Sequence, residues 1–228
     1  SYNRNRQYVH LISNATSGTP LDSWIPSSNI VQPEVADQFA LGYFRNFDNN
    51  TWETSIEAYY KNLQNQIEYK NGADLLSNPL IESQLVFGEG RSYGLELYVK
   101  KRTGKLTGWV SYTLSRTEKS FDEIDNGAWF PARHDRTHDF SITGIYQINP
   151  KMSFSASWVY YTGDAVTFPS GKYFVDSQLV NMYTERNGYR MPEYHRLDLG
   201  LNLITKKRDR YESSWNFSIY NKSEEHTS

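Results

Sequence analysis

The densest run of chemically capable side chains lies between Trp129 and Asp139. Two imidazoles, His134 and His138, alternate there with the carboxylates of Asp135 and Asp139 and the guanidinium groups of Arg133 and Arg136. Histidine and aspartate are metal ligands, and their interleaving invites a shared ion. On an extended strand, however, the two imidazoles would share a face about 13 Å apart, too far for one ion. The expectation is a charged network in which Arg133 and Arg136 pair the carboxylates, with neither metal nor cofactor. Trp129 and Phe130 offer flat faces to a planar or sugar ligand, with packing of the segment onto its support as the alternative. Trp129, Phe130, Arg133, His134, Asp135 and Arg136 are therefore the candidate ligand-binding residues.

Glu118, Asp122, Glu123 and Asp125 form a second cluster, of oxygen ligands suited to Ca²⁺, but their spacing departs from an EF-hand loop. A solvated acidic loop is expected there. The sequence has no nucleophile elbow, phosphate-binding loop, dinucleotide fingerprint or His-Glu-x-x-His pattern. Enzyme chemistry is not expected, and paired carboxylates alone leave glycoside hydrolysis as an outlying alternative.

The elements that would position these residues are strands. Tyr, Phe and Trp make up 15% of the 228 residues, yet the hydrophobic share is only 38% and the mean hydropathy is −0.71. Such a mixture suits amphipathic strands better than a dense core. No stretch approaches the roughly 20 consecutive apolar residues of a membrane-spanning helix, but a barrel wall with a polar interior is compatible with these averages. A net charge of −2 gives no basic surface for nucleic acid. Cysteine is absent, which removes disulfides and thiolate sites.

Period-2 alternation recurs along the chain. Tyr93, Leu95, Leu97 and Val99 share one face, and Leu106, Gly108, Val110, Tyr112 and Leu114 continue it after a turn at Thr103-Gly104-Lys105. Phe140, Ile142, Gly144, Tyr146 and Ile148 lead through Asn149-Pro150-Lys151 to Met152, Phe154, Ala156, Trp158 and Tyr160. Leu197 to Leu203 and Tyr211 to Ile219 flank a turn at Lys206 to Asp209, and Phe39, Leu41 and Tyr43 precede Asp48-Asn49-Asn50 and Trp52 to Tyr60. With Tyr2 to Ser13 as an opening strand, about nine strands of roughly 10 residues are predicted, long enough to cross a bilayer when tilted.

Between the hairpins lie long polar segments, around 14–36, 62–90, 116–137 and 162–194, expected to be loops with little regular structure. Alternation of short and long connections distinguishes membrane barrels, with their short periplasmic turns and longer extracellular loops, from soluble sandwiches. Tyr60, Tyr112, Tyr146, Tyr160, Trp52 and Tyr211 are expected on the lipid face as an aromatic girdle. Glu53, Glu57, Glu96, Asp139, Asp198 and Asn202 are expected to line the interior.

The run from Phe130 to Asp139, followed by the Asn149-Pro150 hairpin and Tyr161-Thr162-Gly163, resembles the C-terminal barrel of TonB-dependent receptors. Gln38 to Phe44, Glu57 to Lys61, Gly90 to Leu97 and Tyr194 to Leu199 extend the likeness over most of the chain, closest to the subgroup with a carboxypeptidase-regulatory-like N-terminal domain. The resemblance implies an all-β fold, an antiparallel transmembrane β-barrel segment of about nine strands from a 22-stranded barrel. It also implies location in the bacterial outer membrane and uptake of a scarce ligand such as a metal chelate, cobalamin or glycan. The implied partners are outer-membrane lipid, an N-terminal plug domain and the TonB complex.

Residues 1–221 are assigned to the barrel and 222–228 to a polar tail outside the family pattern. The closing strand expected of the family is not seen in that tail, and plug and TonB-binding segment are expected upstream of Ser1. A soluble all-β carbohydrate-binding module, using aromatic loops around Trp24, Trp129 and Tyr173, is the competing expectation.

Overall fold

The computed structural model describes residues 1–13, 22–70, 73, 81–175, 178–182, 185–208 and 211–220. In chain order the strands are β1 (Tyr2–Gln7), β2 (Val9–Ser13), β3 (Asp22–Pro26), β4 (Glu34–Phe47), β5 (Trp52–Tyr69), β6 (Leu85–Lys101), β7 (Leu106–Ser120), β8 (Phe130–Pro131), β9 (His138–Asn149), β10 (Met152–Tyr161), β11 (Ala165–Val166), β12 (Gly171–Val175), β13 (Gln178–Met182), β14 (Tyr189–Arg190), β15 (Tyr194–Arg208) and β16 (Tyr211–Tyr220). Short 3₁₀ turns lie at Ile81–Gln84 and Asp125–Gly127.

One antiparallel sheet follows the order β1-β4-β5-β6-β7-β9-β10-β15-β16, with β8 added to β7. Among the described residues its nine-strand path agrees with the predicted number. Among the described residues β1 and β16 are the edges of the sheet, each paired on one side. Among the described residues no helix is long and apolar enough to cross a membrane.

The short connections fall where expected, and local chemistry explains them. Asp48, Asn49 and Asn50 all take left-handed φ angles of 49°, 49° and 64°, which short polar side chains tolerate better than β-branched ones. Gly104 turns at φ 101°, a value that suits glycine. The β9–β10 hairpin closes over Asn149, whose side chain accepts the Lys151 N–H. The turn expected at Lys206 to Asp209 lies partly outside the described residues, as does the tail from Asn221 onward.

Cross-strand register turns the alternation into continuous rows. Tyr43, Ile56, Leu97, Tyr112, Phe140 and Tyr160 stand opposite one another across six strands. Thr54, Val99, Val110, Ile142, Trp158 and Leu197 form the next row but one toward the short turns. These side chains stay at least partly exposed, Tyr43 at 58% and Ile142 at 38%. The opposite face carries Glu57, Glu96, Thr113 and Asp139 in one row, and Glu53, Lys100, Trp109, Thr143, Ser157 and Asp198 in another. One face is apolar without a covering layer among the described residues, and the other is polar.

The predicted loops are shorter than expected because the strands run on. β5 has 18 residues and β6 has 17, against the roughly 9–11 that a spanning strand needs. A bulge hides the continuation from a period-2 reading. The β5–β6 register shifts between Leu63 and Gln66, with Asn65 at φ 56°, so one extra residue moves the apolar parity from even positions to Ile67 and Tyr69. Within the segment 62–90, expected to be irregular, residues 62–69 and 85–90 therefore belong to the sheet.

The other long connections also contain structure. The expected opening strand breaks at Tyr8, and β2 leaves the main sheet to pair with β3. The reason is packing: Ile12, Ile25, Val31, Ile67, Tyr69 and Leu85 bury one another. Immediately beside them in β6, Val86 points the other way into a cluster with Phe121, Ile124 and Phe130. The extensions of β5 and β6 are thus covered on both faces. Within 162–194, β11 pairs with β14 and β12 with β13. We term this end, opposite the short turns, the crown.

Candidate functional site

In the crown, the polar parity of the wall continues upward and meets the folded loops. Leu63, Gln66 and Glu68 of β5 and Thr117 and Lys119 of β7 stand on that parity, separated in β6 by Gly88 and Gly90. A Cβ at Gly88 would lie 2.1 Å from the Ser120 carbonyl oxygen, so only glycine allows the strands this approach. The side chains of β5 and β7 enclose, with Ile12, Ala132, Arg133, His134, Arg186 and Asn187, a cavity of about 350 Å³.

Loop residues reach the cavity through hydrogen bonds over long sequence separations. The Arg186 backbone N–H donates to Asp125 Oδ2 at 2.9 Å, and its guanidinium donates to Glu68 Oε1 at 2.8 Å. The Asn187 side chain donates to the Pro131 carbonyl at 3.0 Å, and its backbone N–H donates to Thr167 Oγ1 at 3.0 Å. Three segments, 121–137, 165–167 and 185–190, are knitted to the top of β5.

The predicted network in 130–139 has different members from those expected. Asp135 is almost fully buried. Its partners are the Thr117 N–H and the Arg190 guanidinium, which also donates to the Asp135 carbonyl oxygen. Arg136 faces Asp164 at 3.6 Å and lies 3.9 Å over the Tyr161 ring. Arg136 thus faces Asp164, and Asp135 is paired by Arg190 and not by its sequence neighbours, because residues from 161–190 fold against this segment.

The six candidate residues therefore separate. Arg133 and His134 line the cavity. Phe130 is buried against Phe121, ring centroids 5.9 Å apart, so the packing alternative describes it. Trp129 lies on the opposite parity under the Arg91 guanidinium, 4.3 Å away. Asp135 and Arg136 act through Arg190, Asp164 and Tyr161, outside the cavity lining. The two histidines also diverge: His134 is 3.9 Å from Asp164, whereas His138 meets the Tyr112 hydroxyl at 2.8 Å through Nδ1. Among the described residues no group of three or more His, Asp or Glu side chains is placed to hold a metal ion.

The acidic cluster also departs from expectation at its first member. Glu118 belongs to β7 and is 5% exposed, held between Arg91 Nε and Arg116 Nε, each at 2.8 Å. Burial pushes its carboxyl up, but the hydrogen bonds and charges of Arg116 and Arg91 outweigh burial and hold it below the usual carboxylate range. The sequence reading missed Lys119, Gln66, Arg186, Asn187 and Arg190. Lys119 continues the polar alternation of Thr113, Ser115 and Thr117 and was legible; Arg186-Asn187-Gly188 was legible only as a turn, with Asn187 at φ 50°.

An antiparallel wall with an uncovered apolar face, short turns at one end and folded loops at the other is the architecture of an outer-membrane β-barrel, here a part of one. The chain belongs to the family described as TonB dependent receptor-like, beta-barrel, which matches residues 2–221. Its apolar rows face lipid of the bacterial outer membrane, and its family consists of receptors and transporters, not enzymes. No curated protein matches the chain. Family and exposed apolar rows together overturn the soluble carbohydrate-binding alternative. Of its three aromatic loops, the side chain of Tyr173 lies outside the described residues, and Trp129 is engaged by Arg91.

Proposed function

We propose that the chain forms wall and crown of a receptor that takes up a scarce ligand of the metal-chelate, cobalamin or glycan class. Energy would be relayed from the TonB complex to an N-terminal plug inside the barrel. The observation that carries this reading is the crown cavity, which stands on the polar parity of the wall at the end opposite the short turns. A solute held there sits above the interior that the plug would occupy. The row of Glu57, Glu96 and Asp139 below it supplies the polar lining that such a plug would meet.

The test uses the full-length protein in its own envelope. Uptake of a ferric chelate, cobalamin and an oligosaccharide is measured with TonB present and depleted. Uptake of one of them should be lost on depletion, in cells whose receptor remains in the detergent-requiring outer-membrane fraction. TonB-independent uptake, or uptake of none of the three, would overturn the reading.

A further inference from the structure

The short-turn end of the wall is basic. The four hairpin segments 45–53, 100–107, 147–153 and 204–212 hold ten Lys and Arg against four Asp and Glu, whereas the whole chain has 24 against 26. Three of these turns are described throughout, and their carboxylates are Asp48 and Glu53. Glu53 is matched by Arg102, whose Nε donates to Glu53 Oε2 at 2.9 Å. Arg45, Lys101, Lys105 and Lys151 meet no carboxylate among the described residues.

Two of these cations stand on the lipid-facing parity and rest on aromatic rings. The Lys101 ammonium lies 5.5 Å from the Trp52 ring centroid, and the Arg45 guanidinium lies 4.7 Å from that of Phe47. Cation and ring together suit the level where hydrocarbon gives way to charged heads.

Lys101 also stands at the mouth of a groove in the lipid-facing surface. Its row runs Trp52, Lys101, Gly108, Gly144, Ala156 and Leu199 across neighbouring strands. At Gly108, Gly144 and Ala156 the surface sinks between the bulkier Val110, Ile142 and Leu106, leaving a groove of about 440 Å³. An unfilled groove forfeits dispersion contacts, and in hydrocarbon those contacts are the main attraction between apolar surfaces. A flexible acyl chain can fill it, whereas a second protein face would bury the charge of Lys101.

We propose that this end of the wall is a site for an anionic phospholipid, its phosphate beside Lys101 and one acyl chain in the groove. The other turn cations supply the positive field that holds a negative head. A zwitterionic lipid offers the same chains, but its head brings a cation that this field repels. The short turns face the periplasm, so the lipid belongs to the periplasmic leaflet. The inference goes beyond the uptake reading and stands on the orientation of the wall alone.

The experiment uses full-length receptor in phosphatidylcholine vesicles. These carry a small, equal fraction of either phosphatidylglycerol or phosphatidylcholine with a photoreactive diazirine in one acyl chain. After irradiation the labelled peptides are mapped by mass spectrometry. Phosphatidylglycerol should label residues 106–110 and 142–158 about threefold more than phosphatidylcholine, and the excess should shrink as salt is raised. Lys101→Gln should remove about half of that excess, while Lys101→Arg keeps it.

Gly144→Leu should lower labelling there by both lipids and leave their ratio unchanged. A Cβ at Gly144 meets only Leu106 Cδ1, 4.0 Å away, so the new side chain enters the groove without displacing the wall. Ala156→Leu fills the same groove from the next strand and is the second variant. Unchanged thermal unfolding confirms that each variant is folded.

Equal labelling by the two lipids, an excess that Lys101→Gln leaves intact, or groove labelling that both filling substitutions leave unchanged would overturn the proposal. So would soluble polyglutamate that abolishes the phosphatidylglycerol excess at equal charge, which would assign the basic end to an acidic protein. None of these outcomes depends on the solute that the receptor takes up.

Discussion

The same strands obey opposite rules in wall and crown. Along β5, Ile56 and Tyr60 stay exposed at 42% and 47%, whereas Ile67 and Tyr69 fall to 4% and 1%. Along β6, Leu97 and Val99 are exposed and Leu85 and Val86 are buried. Nothing in residue type separates the two sets; their surroundings do. In the wall an apolar side chain is satisfied by lipid, and only the backbone must find partners within the protein. In the crown water surrounds the strands, so the apolar side chains need protein cover, which β2, β3 and the 121–137 segment supply. The teaching is that the bulge at Asn65 marks a change of solvent as well as of register.

Substitutions that interchange the two rules test this contrast. The largest effect is expected in the crown, where Phe121→Ala removes a side chain that is 1% exposed and should cost about 3–5 kcal/mol. Hydrogen exchange on the full-length receptor should show the loss in residues 85–91 and 118–131, with amides of the wall unchanged. Equal loosening of the wall would break the comparison.

In the wall, Ile142→Arg places a charge in the middle lipid-facing row and should cost about 2–4 kcal/mol. Its neighbour Ser141→Arg, on the polar face, should leave folding into vesicles near the wild-type midpoint. Should both variants fold equally well, the assignment of faces is wrong.

Removing the charge of Asp135 while preserving its shape tests how far the loops depend on one ion pair. Asp135→Asn should cost about 1–3 kcal/mol by weakening the bonds to Arg190 and Thr117. The expected readout is faster proteolytic cleavage within 163–190 and an unchanged barrel.

The smallest effect is a pH dependence confined to the crown. The Glu118 carboxyl is held below its usual range, so its contribution is full above the unfolded-state pKa of about 4.3 and is lost as pH falls through the lower folded value. The stability advantage of wild type over Glu118→Gln should therefore be largest near pH 7 and shrink below about pH 4. An advantage constant down to pH 3, read as a difference in thermal midpoint, would show that the Arg91 and Arg116 contacts carry no charge-dependent stability.

Much of the wall was legible from residues alone. The alternation of Leu95, Leu97 and Val99 with Gly94, Glu96 and Tyr98, joined to the next run by Gly104, yields strand, face and hairpin together, because each depends on neighbours one or two positions away. The crown was legible only in part. Ile67 and Tyr69 sit one position out of phase after Asn65, and a single-residue bulge leaves no mark that a period-2 pattern can carry.

The site was read least completely. Arg133 and His134 were singled out by type and do line the cavity, while Phe130, chosen by the same criterion, is core. Exposure distinguishes them, and exposure depends on Phe121 and Val86, the latter 44 positions away in sequence.

Sequence by itself determined that this protein is a set of two-faced strands, where they turn, and to which family they belong, since backbone geometry ties side-chain direction to position at short range. Tertiary structure alone decided that Asp135 meets Arg190 and that Glu68 meets Arg186, 118 positions away. It alone decided that Lys119 of β7, Glu68 of β5 and Arg133, Arg186 and Asn187 of the loops line one cavity. Those encounters are set by how loops fold over the ends of the strands, where hydrogen-bond geometry and burial select partners that no local pattern encodes.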